Sequence, residues 1–445
     1  MRKKITLLKL AVCMLVSYSG FSQNRTTFSK RTPSGHIRCA TTEYETLLRE
    51  QYPNRATSEE FENWLAPKIE EAKRNRENST SKVVISVPVV IHIISNGDAI
   101  GTNENISNAQ ALSQITVLNQ DFRKMFGTPG YNTNPVGADI EIEFCLAQRK
   151  PDGTATTGID RVTRTSAAYN TYSATETMKA ATIWDSTQYF NIWTVFFTNN
   201  SSQEMYGTLG YAQFPSTSGL TGLNSDEGPG TTDGLVVDYR AFGSSAIAAG
   251  PYYTGYDLGR TATHEIGHCF GLLHIWGDAA CGTDYCADTP VAHDANFGCP
   301  TVTNCSSTGN EMVQNYMDYT DDSCMNIFTI NQKDRITAVM NNSLRRASLK
   351  TSNACTAPLS AQEFDLLNSV QLYPNPTNEI INIALSNSEL PDNFVIFNSL
   401  GQTIKDVKVA SELDLAVNMS QYQAGVYFIR IAKDGSVRTL RFIKE

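Results

Sequence analysis

The sequence predicts an α/β domain followed by a small all-β sandwich. Two observations support this division of the 445 residues. Between residues 55 and 355, apolar strand-like runs alternate with stretches of helical periodicity, which is the pattern of an α/β domain. From Leu366 to the end, short strand-like segments separated by turn residues follow one another, as in a β-sandwich. Residues 356–365 are expected to link the two domains.

Several elements of the first domain can be placed in order along the chain. Residues 23–54 are polar and are interpreted as a pro-segment, and a short helix is expected at 59–73. The run VVISVPVVIHII at 83–94 is too apolar for an exposed strand and predicts a strand buried on both faces. Ser107 can cap a helix in which apolar residues such as Leu112, Leu118, Phe122 and Met125 recur at helical spacing. Further strands are predicted at 140–148, 189–198, 209–214 and 235–238.

The charge and the N-terminus restrict the class of protein. The formal net charge of −9 argues against a nucleic-acid partner, because such proteins usually present a basic surface. Arg2, Lys3 and Lys4 precede an apolar run that ends near Val16, which is the pattern of a secretory signal peptide. The run is shorter than the ~20 residues needed to span a bilayer. We therefore expect residues 1–22 to be removed and the protein to be exported without a stable membrane span.

Half of the six histidines lie in one short motif, HEIGHCFGLLH at 264–274. On a helix, His264 and His268 share one face about 6 Å apart along the axis, so both imidazoles can bind one metal ion. Glu265 is rotated by about 100° and can contact a water on the metal instead of the metal itself. Gly271 can adopt the positive φ that ends a helix, which lets the chain turn back and present His274 as a third ligand.

This ligand set predicts a catalytic Zn²⁺ site. Three imidazoles leave one position of a tetrahedral zinc ion open to water, and zinc lowers the pKa of that water to near 7. Glu265 can take the proton and later transfer it to the leaving amine, so the predicted reaction is peptide-bond hydrolysis. The alternatives are a zinc amidase acting on non-peptide substrates and a surface adhesion protein with a vestigial zinc site. An adhesion protein has no need of Glu265.

The motif HExxHxxGxxH, followed by NYMDY at 315–319, resembles the metzincin metallopeptidases. Together with DGLVVDYRAFG, LGRTATHEIGH and NYMDYTDDSCMN, it is most similar to the secreted bacterial and archaeal branch of the pappalysins. The resemblance implies a metzincin catalytic domain with a twisted sheet and an active-site helix. It also implies that Met317 lies beneath the zinc site. Tyr319 would stabilise the tetrahedral intermediate, and the alternative is a packed aromatic residue with a hydrogen-bonded hydroxyl.

The same resemblance implies a preference for basic substrates. Asp322 matches the acidic residue that lines the pocket for the first side chain after the scissile bond. A carboxylate there pairs with Arg or Lys, so cleavage on the amino side of basic residues is expected. Asp321 and Asp322 could instead form a solvated turn.

A calcium site is expected just after the zinc motif. Relatives hold calcium in this region, and the loop TDYCADTP offers Asp284, Asp288 and Thr289 as oxygen ligands for Ca²⁺. An ordinary Asp-Thr-Pro turn is the alternative.

The cysteine count leaves one thiol unpaired. Removal of the signal peptide takes Cys13 with it and leaves nine of ten cysteines in an oxidising compartment. By resemblance, two disulfides are expected, Cys281–Cys305 and Cys299–Cys324; a structural zinc site is disfavoured because paired C-x₂-C spacing is lacking. With Cys39 set aside, four more cysteines allow three connectivities, of which we expect the one that contains a Cys269–Cys286 pair: Cys145, Cys269, Cys286 and Cys355.

Cys39 is the remaining thiol, in the predicted pro-segment. A thiolate is a good zinc ligand and could occupy the position of the water, which would keep the enzyme latent until the segment is cut. A solvent-exposed free cysteine is the alternative. Cleavage before Arg55 would agree with the expected specificity.

The last 80 or so residues resemble a type IX secretion sorting domain, on the segments LYPNPTNE and GVYFIRI. The resemblance implies that the type IX secretion machinery recognises this domain, which is usually removed after export. A substrate-binding or glycan-binding sandwich that stays attached is the alternative. The expected location is extracellular, with attachment to the cell surface as a variant.

Overall fold

The computed structural model describes residues 30–79, 83–215, 230–358, 370–385, 390–433 and 436–445. The chain divides into two compact units. One unit runs up to Cys355 without Gln148–Thr157, and the other joins that short segment to Thr356–Glu445. The predicted signal peptide at 1–22, the first residues of the predicted pro-segment and most of the predicted linker lie outside the described residues.

The first unit alternates helices and strands, as predicted for an α/β domain. Its helices are α1 (Thr41–Gln51), α2 (Ser58–Asn78), α3 (Asn108–Phe122), α4 (Tyr172–Thr182), α5 (Arg260–Cys269), α6 (Ile330–Asn342) and α7 (Leu344–Leu349). Its strands are β1 (Ile85–Ser95), β2 (Ile142–Leu146), β3 (Ile159–Thr163), β4 (Phe190–Val195), β5 (Gly210–Ala212) and β6 (Leu235–Asp238).

These strands form one mixed sheet in the order β2-β1-β4-β6-β5, and β3 pairs with the second half of β1. All pairs are parallel except β5 with β6. Residues 87–95 of β1 are buried without interruption, which confirms the strand predicted from its apolar sequence. Strand β5 lies at the edge of the sheet, so among the described strands only β6 pairs with it.

Helix α3 holds the segment that leads into α5. The Ser107 hydroxyl accepts a hydrogen bond from the third residue of the helix, which confirms the predicted cap. The predicted apolar face is wrong at Leu112 and Met125, which are 49% and 41% exposed. Gln110 and Gln114 lie on the buried face instead, because their side-chain amides donate hydrogen bonds to backbone carbonyls of the segment 239–259.

Three disulfides cross-link the first unit. Two of them, Cys281–Cys305 and Cys299–Cys324, are the pairs that the resemblance implies. The third joins Cys145 on β2 to Cys355, with Cα atoms 5.9 Å apart. It therefore attaches the end of the first unit to the sheet.

The predicted Cys269–Cys286 pair is wrong. Both cysteines are buried and free. The Cys269 thiol is influenced by Arg346 and Asp233, whereas the neighbours of Cys286 include Asp284 and Arg335. The two sulfur atoms therefore belong to different parts of the core, and a sequence pattern cannot reveal this.

The second unit contains two antiparallel sheets, as expected for a β-sandwich. One has the order β10-β9-β12-β13 and the other β11-β8-β7. The strands are β7 (Gln371–Tyr373), β8 (Ile380–Ala384), β9 (Asn393–Asn398), β10 (Thr403–Lys408), β11 (Ala416–Asn418), β12 (Gly425–Lys433) and β13 (Ser436–Lys444). Alternate apolar residues of these strands form a separate core that includes Ile381, Phe394, Ile396, Ile429 and Phe442. Within the described ranges of the chain, no helix is long and apolar enough to cross a membrane.

Candidate active site

The three predicted ligand histidines meet in a buried site. His264 and His268 lie one turn apart on α5, and His274 follows the turn after this helix. Their Nε2 atoms form a nearly equilateral triangle with sides of 3.3, 3.1 and 3.1 Å. Nitrogen ligands at about 2.0–2.1 Å from a tetrahedral zinc ion are about 3.3 Å from one another. The triangle therefore fits a zinc ion.

Each of these imidazoles is oriented through its other nitrogen. The three Nδ1 atoms are 2.6–2.8 Å from oxygen acceptors, which are the Tyr316 carbonyl for His264, the Leu272 carbonyl for His268 and the Asp278 carboxylate for His274. An Nδ1–H that donates to oxygen leaves the Nε2 lone pair available for a metal.

Burial keeps the imidazoles of His264 and His268 in the form that binds metal. It lowers the pKa of His264 well below its usual value, with smaller contributions from the neighbouring imidazoles. It also lowers the pKa of His268 to about 3. Neutral imidazole nitrogens are borderline-soft donors that suit zinc, whereas Ca²⁺ and Mg²⁺ prefer oxygen.

The turn after α5 depends on a glycine and on two buried arginines. Gly271 has a φ of +89°, which confirms the predicted helix end. Its carbonyl accepts a hydrogen bond from Arg335 Nε at 2.6 Å, and the Cys269 carbonyl accepts one from Arg346 Nε at 2.9 Å. The guanidinium groups thus satisfy carbonyls that a helix end leaves unpaired, and they place positive charge where the helix dipole favours it.

Met317 packs against α5 at the level of the zinc ligands. It is fully buried, and a Cβ atom added to Gly267 would clash with its sulfur. Gly267 lies on α5 between His264 and His268, so its missing side chain admits the methionine. The position agrees with the apolar floor that the resemblance implies.

Glu265 is fully buried beside the three histidines. Its Oε2 accepts a hydrogen bond from Thr41 Oγ1 at 2.8 Å, while its Oε1 has no hydrogen-bond partner among the described residues. Burial raises the pKa of Glu265 to about 7. A carboxyl group with such a pKa can accept and return a proton near neutral pH.

Cys39 lies at the histidines and is only 2% exposed, so the alternative of a solvent-exposed cysteine is wrong. Its Sγ and one nitrogen of each of the three histidines all lie within 4.8 Å of one another. Burial and the neighbouring Glu265 carboxylate raise the pKa of the Cys39 thiol well above its usual value. The thiol is therefore protonated unless a cation beside it offsets the charge.

The chain around Cys39 pairs with the edge of the sheet. The Leu209 amide donates to the Ile37 carbonyl at 2.9 Å, and the Ala40 amide donates to the Gly210 carbonyl at 3.0 Å. The pairing is parallel, with Ile37 opposite Thr208. Residues 37–41 thus run along β5 and past the three histidines. We call the space that they occupy the channel.

Asp322 and Arg38 form a buried ion pair at one end of this channel. Arg38 Nη2 is 2.8 Å from Asp322 Oδ1, and both side chains are inaccessible to solvent. The other oxygen, Oδ2, accepts hydrogen bonds from the amides of Leu258 and Arg260 at 2.9 and 3.1 Å. The solvated-turn alternative is therefore wrong for Asp322.

Two aromatic residues complete the surroundings of His274. The Tyr319 hydroxyl donates to the Cys39 carbonyl at 3.2 Å, and its ring centre is 4.9 Å from that of His274. The Trp276 ring stacks on His274 with centres 4.4 Å apart and planes 5° from parallel. Tyr319 thus has both the packed ring of one alternative and a hydroxyl that reaches a carbonyl oxygen at the site.

The sequence patterns do not single out Asp278, Trp276 or Thr41. The sequence did offer a clue to Asp278, which follows His274 by four residues. The second nitrogen of a ligand histidine commonly donates to a carboxylate. Trp276 and Thr41 gain their roles from the folded chain, since stacking on His274 and bonding to Glu265 depend on tertiary structure.

The predicted calcium ligands lie in a loop in which some of their oxygen atoms already have hydrogen-bond partners. Thr289 Oγ1 donates to the Asp284 carboxylate, 2.8 and 2.7 Å from its two oxygens, and burial raises the pKa of Asp284 to about 7. Asp288 Oδ2 accepts from the Asn331 amide at 2.9 Å, while its Oδ1 is buried with no partner among the described residues. The structure thus places Asp284 and Thr289 in contact and joins Asp288 to α6.

The fold and this site define a metallopeptidase of the metzincin class. Residues 173–341 match the family model described as pregnancy-associated plasma protein-A. The chain belongs to this family, the pappalysins, because it also covers 100% of mature mirolysin of Tannerella forsythia at 34% identity. That structure, a complex with a cleaved peptide, covers 63% of this chain with a TM-score of 0.52.

Three relatives illustrate the extent of the similarity. The promirolysin structure of Tannerella forsythia covers 64% of this chain and 91% of its own at 34% identity, with a TM-score of 0.51. An extracellular metalloprotease of Podospora anserina is 29% identical over 75% of this chain and 99% of its own length. An extracellular metalloprotease of Sordaria macrospora is 37% identical over 33% of this chain. The matched part spans about half (49%) of that relative.

The C-terminal unit has a separate relationship. Residues 371–445 match the family model described as a secretion system C-terminal sorting domain. This confirms the predicted sorting domain, and the protein is accordingly a secreted or cell-surface metalloprotease.

Gly271→Ala should weaken metal binding. Alanine at this φ is strained by about 1–2 kcal/mol, and its Cβ would also lie 2.7 Å from Val339 Cγ2. Gly101→Ala is the control, because Gly101 has a φ of +87° with no atom near a Cβ. We expect both variants to lose some thermal stability but only Gly271→Ala to lose zinc, measured as metal content after dialysis. Equal zinc contents would contradict the role of this turn in placing His274.

Proposed function

We propose that this protein is a latent zinc endopeptidase that cleaves on the amino side of basic residues, preferring Arg to Lys. The observation that carries the proposal is the buried Arg38 side chain on Asp322, directly before Cys39 at the three histidines. The chain's own pro-segment thus supplies an arginine in the pocket beside the metal ligands. A substrate arginine can occupy the same pocket once the segment has left.

The chemistry of the pocket favours a guanidinium group. Besides its bond to Asp322, Arg38 donates from Nη1 to Thr261 Oγ1 at 2.5 Å, and its guanidinium carbon lies 5.0 Å from the centre of the Tyr256 ring. A planar group with several donors can make these contacts together, whereas a lysine ammonium is a point charge. A buried Asp322 without a cation is costly, so the pocket selects against neutral side chains.

Zinc is the cofactor that the donor set fits, and His264, His268 and His274 would hold it. When bound, zinc lowers the pKa of a coordinated water towards neutrality and polarises the substrate carbonyl. Glu265 holds the proton that is removed from the nucleophile, on the oxygen that has no other partner, and returns it to the leaving amine. Tyr319 donates a hydrogen bond to the carbonyl of the scissile residue, as it does here to Cys39.

Latency in this proposal depends on Cys39. Its sulfur lies within 4.8 Å of a nitrogen of each of the three histidines, which supports a role as fourth ligand, and Thr41 from the same segment donates a hydrogen bond to Glu265. Both the metal and the general base are thereby blocked by one stretch of chain. Arg55, the proposed cleavage point, forms a buried ion pair with Glu45 of α1, which has to separate before the segment can be cut.

A structural calcium ion is part of the proposal. The supporting observations are the contact of Asp284 with Thr289 and the buried, unpartnered oxygen of Asp288. Oxygen donors of this kind suit a hard cation. The type IX secretion machinery is the proposed partner of the C-terminal domain, and proteins or peptides with basic residues are the proposed substrates.

Glu265→Gln should bind zinc normally and lose proteolysis. The amide keeps the shape of the side chain but cannot accept the proton, so we expect a loss of roughly 10²–10⁴-fold in kcat. Both proteins are treated with the same added protease to remove the pro-segment, and zinc content is measured alongside. Retained cleavage at full zinc occupancy would exclude Glu265 as the base.

A library of peptides that vary the residue after the scissile bond tests the specificity. We expect Arg to exceed Lys, and both to exceed neutral residues. Asp322→Asn should lower kcat/KM for Arg peptides by roughly 10–100-fold, which corresponds to losing a charge-assisted hydrogen bond of about 1.5–3 kcal/mol. Asp321→Asn is the control, since the carboxylate of Asp321 forms no ion pair with Arg38. An unchanged Arg preference in Asp322→Asn would refute the pocket assignment.

Cys39→Ala should shorten the time that the full-length protein needs to become active. The substitution removes the sulfur that lies at the histidines but leaves Arg38 on Asp322. Thr42→Ala is the control, because Thr42 is exposed on the same segment. The measurement is the time course of pro-segment cleavage and of peptidase activity. Identical time courses for the two variants would mean that Cys39 does not maintain latency.

Removal of calcium by a calcium-selective chelator should lower the unfolding temperature. A ligand present at 100 times its Kd stabilises the folded state by about 2.7 kcal/mol, so the shift should be several degrees. Zinc content is monitored to show that the catalytic metal stays bound. Asp284→Asn should unfold at the lower temperature with or without the chelator, and a chelator effect in that variant equal to the wild-type effect would contradict the site.

A further inference from the structure

A second pocket lies beside the channel, at the junction of α4 with β5. Its walls are the aromatic rings of Tyr172 and Tyr211 and an ion pair between Glu176 and Lys179. The Lys179 ammonium is inaccessible to solvent and lies 2.8 Å from Glu176 Oε1. The Tyr211 hydroxyl donates to the same oxygen, also at 2.8 Å. Oε1 is therefore saturated, whereas Oε2 faces the pocket.

Tyr44, from α1 of the proposed pro-segment, fills this pocket. Its ring centre is 4.8 Å from that of Tyr211 and 5.7 Å from that of Tyr172. Its hydroxyl donates to Glu176 Oε2 at 2.6 Å, and the residue is only 2% exposed. The walls belong to residues 172–211, which remain when the pro-segment is removed.

The pocket is close to the reacting groups. Tyr211 lies between Gly210 and Ala212 on β5, and a Cβ on Gly210 would be 3.2 Å from Glu265 Cγ. The Tyr172 hydroxyl donates to the Ala40 carbonyl at 3.0 Å, in the channel itself. Arg38, which precedes Cys39 in the chain, contacts Asp322. Tyr44, which follows Cys39, contacts Glu176. Along the chain, the groups that fill the two pockets thus lie on opposite sides of Cys39.

Loss of Tyr44 removes the donor that binds Glu176 Oε2 in this aromatic recess. A phenol is the group that fits, since its ring packs on the two tyrosines and its hydroxyl reaches Oε2. We propose that in the activated enzyme this pocket binds the tyrosine side chain of a substrate, a few residues before the scissile bond. The inference rests on the proposed function, because it requires that α1 leave.

The distance sets which substrate residue is meant. Ala40 is not extended, with a ψ of 19°, and Thr41 begins a helix, so Tyr44 is at most roughly 11 Å along the chain from Cys39. An extended substrate rises about 3.3 Å per residue and covers this distance in about three residues. Tyrosine is therefore favoured about three positions before the bond that is cleaved.

Paired peptide substrates test the proposal on enzyme activated from the full-length chain. Each peptide carries Arg after the scissile bond, and Tyr, Phe or Ala at one of the second to fourth positions before it. We expect kcat/KM for Tyr to exceed that for Phe by about 10–100-fold at one position, mainly through KM, because only Tyr offers a donor to Glu176.

Glu176→Gln should reduce the Tyr-to-Phe ratio to about threefold or less. Glu143→Gln, which removes an exposed carboxylate on β2, should leave the ratio unchanged. If Glu176→Gln does not fold, the Tyr and Phe peptides on the unaltered enzyme still decide the question.

Equal values for Tyr and Phe at all three positions would overturn the proposal. It would also be overturned if a synthetic peptide of residues 37–54 inhibited through Tyr44 while substrates showed no such preference, since the pocket would then serve the pro-segment alone. Failure of cleavage at Arg in all peptides would instead refute the proposed specificity, so the two failures can be told apart.

Discussion

The convergence of three imidazole nitrogens within 3.3 Å of one another is the constraint on which the site depends. Unprotonated lone pairs directed at one point repel, so each ring has to be held by its other nitrogen, through Tyr316, Leu272 and Asp278. The chain must also stop being helical at Cys269 and reverse. Gly271, at positive φ, allows this reversal, and the buried guanidinium groups of Arg335 and Arg346 bind the last carbonyls. Because Arg335 belongs to α6 and Arg346 to α7, these contacts explain why both helices lie near the end of α5.

In the proposed latent form, the pro-segment acts on this site as an internal ligand. One stretch of chain offers a thiol to the metal ligands, a hydroxyl to the base, an arginine to Asp322 and a tyrosine to Glu176. Each contact uses a group whose burial without a partner is costly. In this proposal the same contacts stabilise the latent form and indicate which side chains of a substrate the active form binds.

The motif at 264–274 could be read from sequence because its ligands are local: His264 and His268 are fixed by helix geometry and His274 by a glycine. Strand β1 and the cap at Ser107 are equally local. The features that could not be predicted from the sequence depend on residues that are distant along the chain. Cys269 and Cys286 look available for a disulfide until the fold separates them, and Leu112 looks buried until Gln110 and Gln114 take the inner face. Thr41 and Trp276 have no pattern of their own.

In the proposed latent form, the direction of the pro-segment explains how it can resemble a substrate without being cut. Residues 37–40 run parallel to β5, which already pairs antiparallel with β6. Arg38 precedes Cys39 in this segment, whereas the proposed substrate arginine follows the scissile bond, so the proposed substrate runs in the opposite direction. In the observed direction the Cys39 sulfur lies within 4.8 Å of the histidine nitrogens, and the Cys39 carbonyl accepts a hydrogen bond from the Tyr319 hydroxyl. In the proposed latent form, reversed polarity and a thiol at the metal site are thus two independent obstacles to cleavage, so the side-chain pockets can be filled while the chain stays intact.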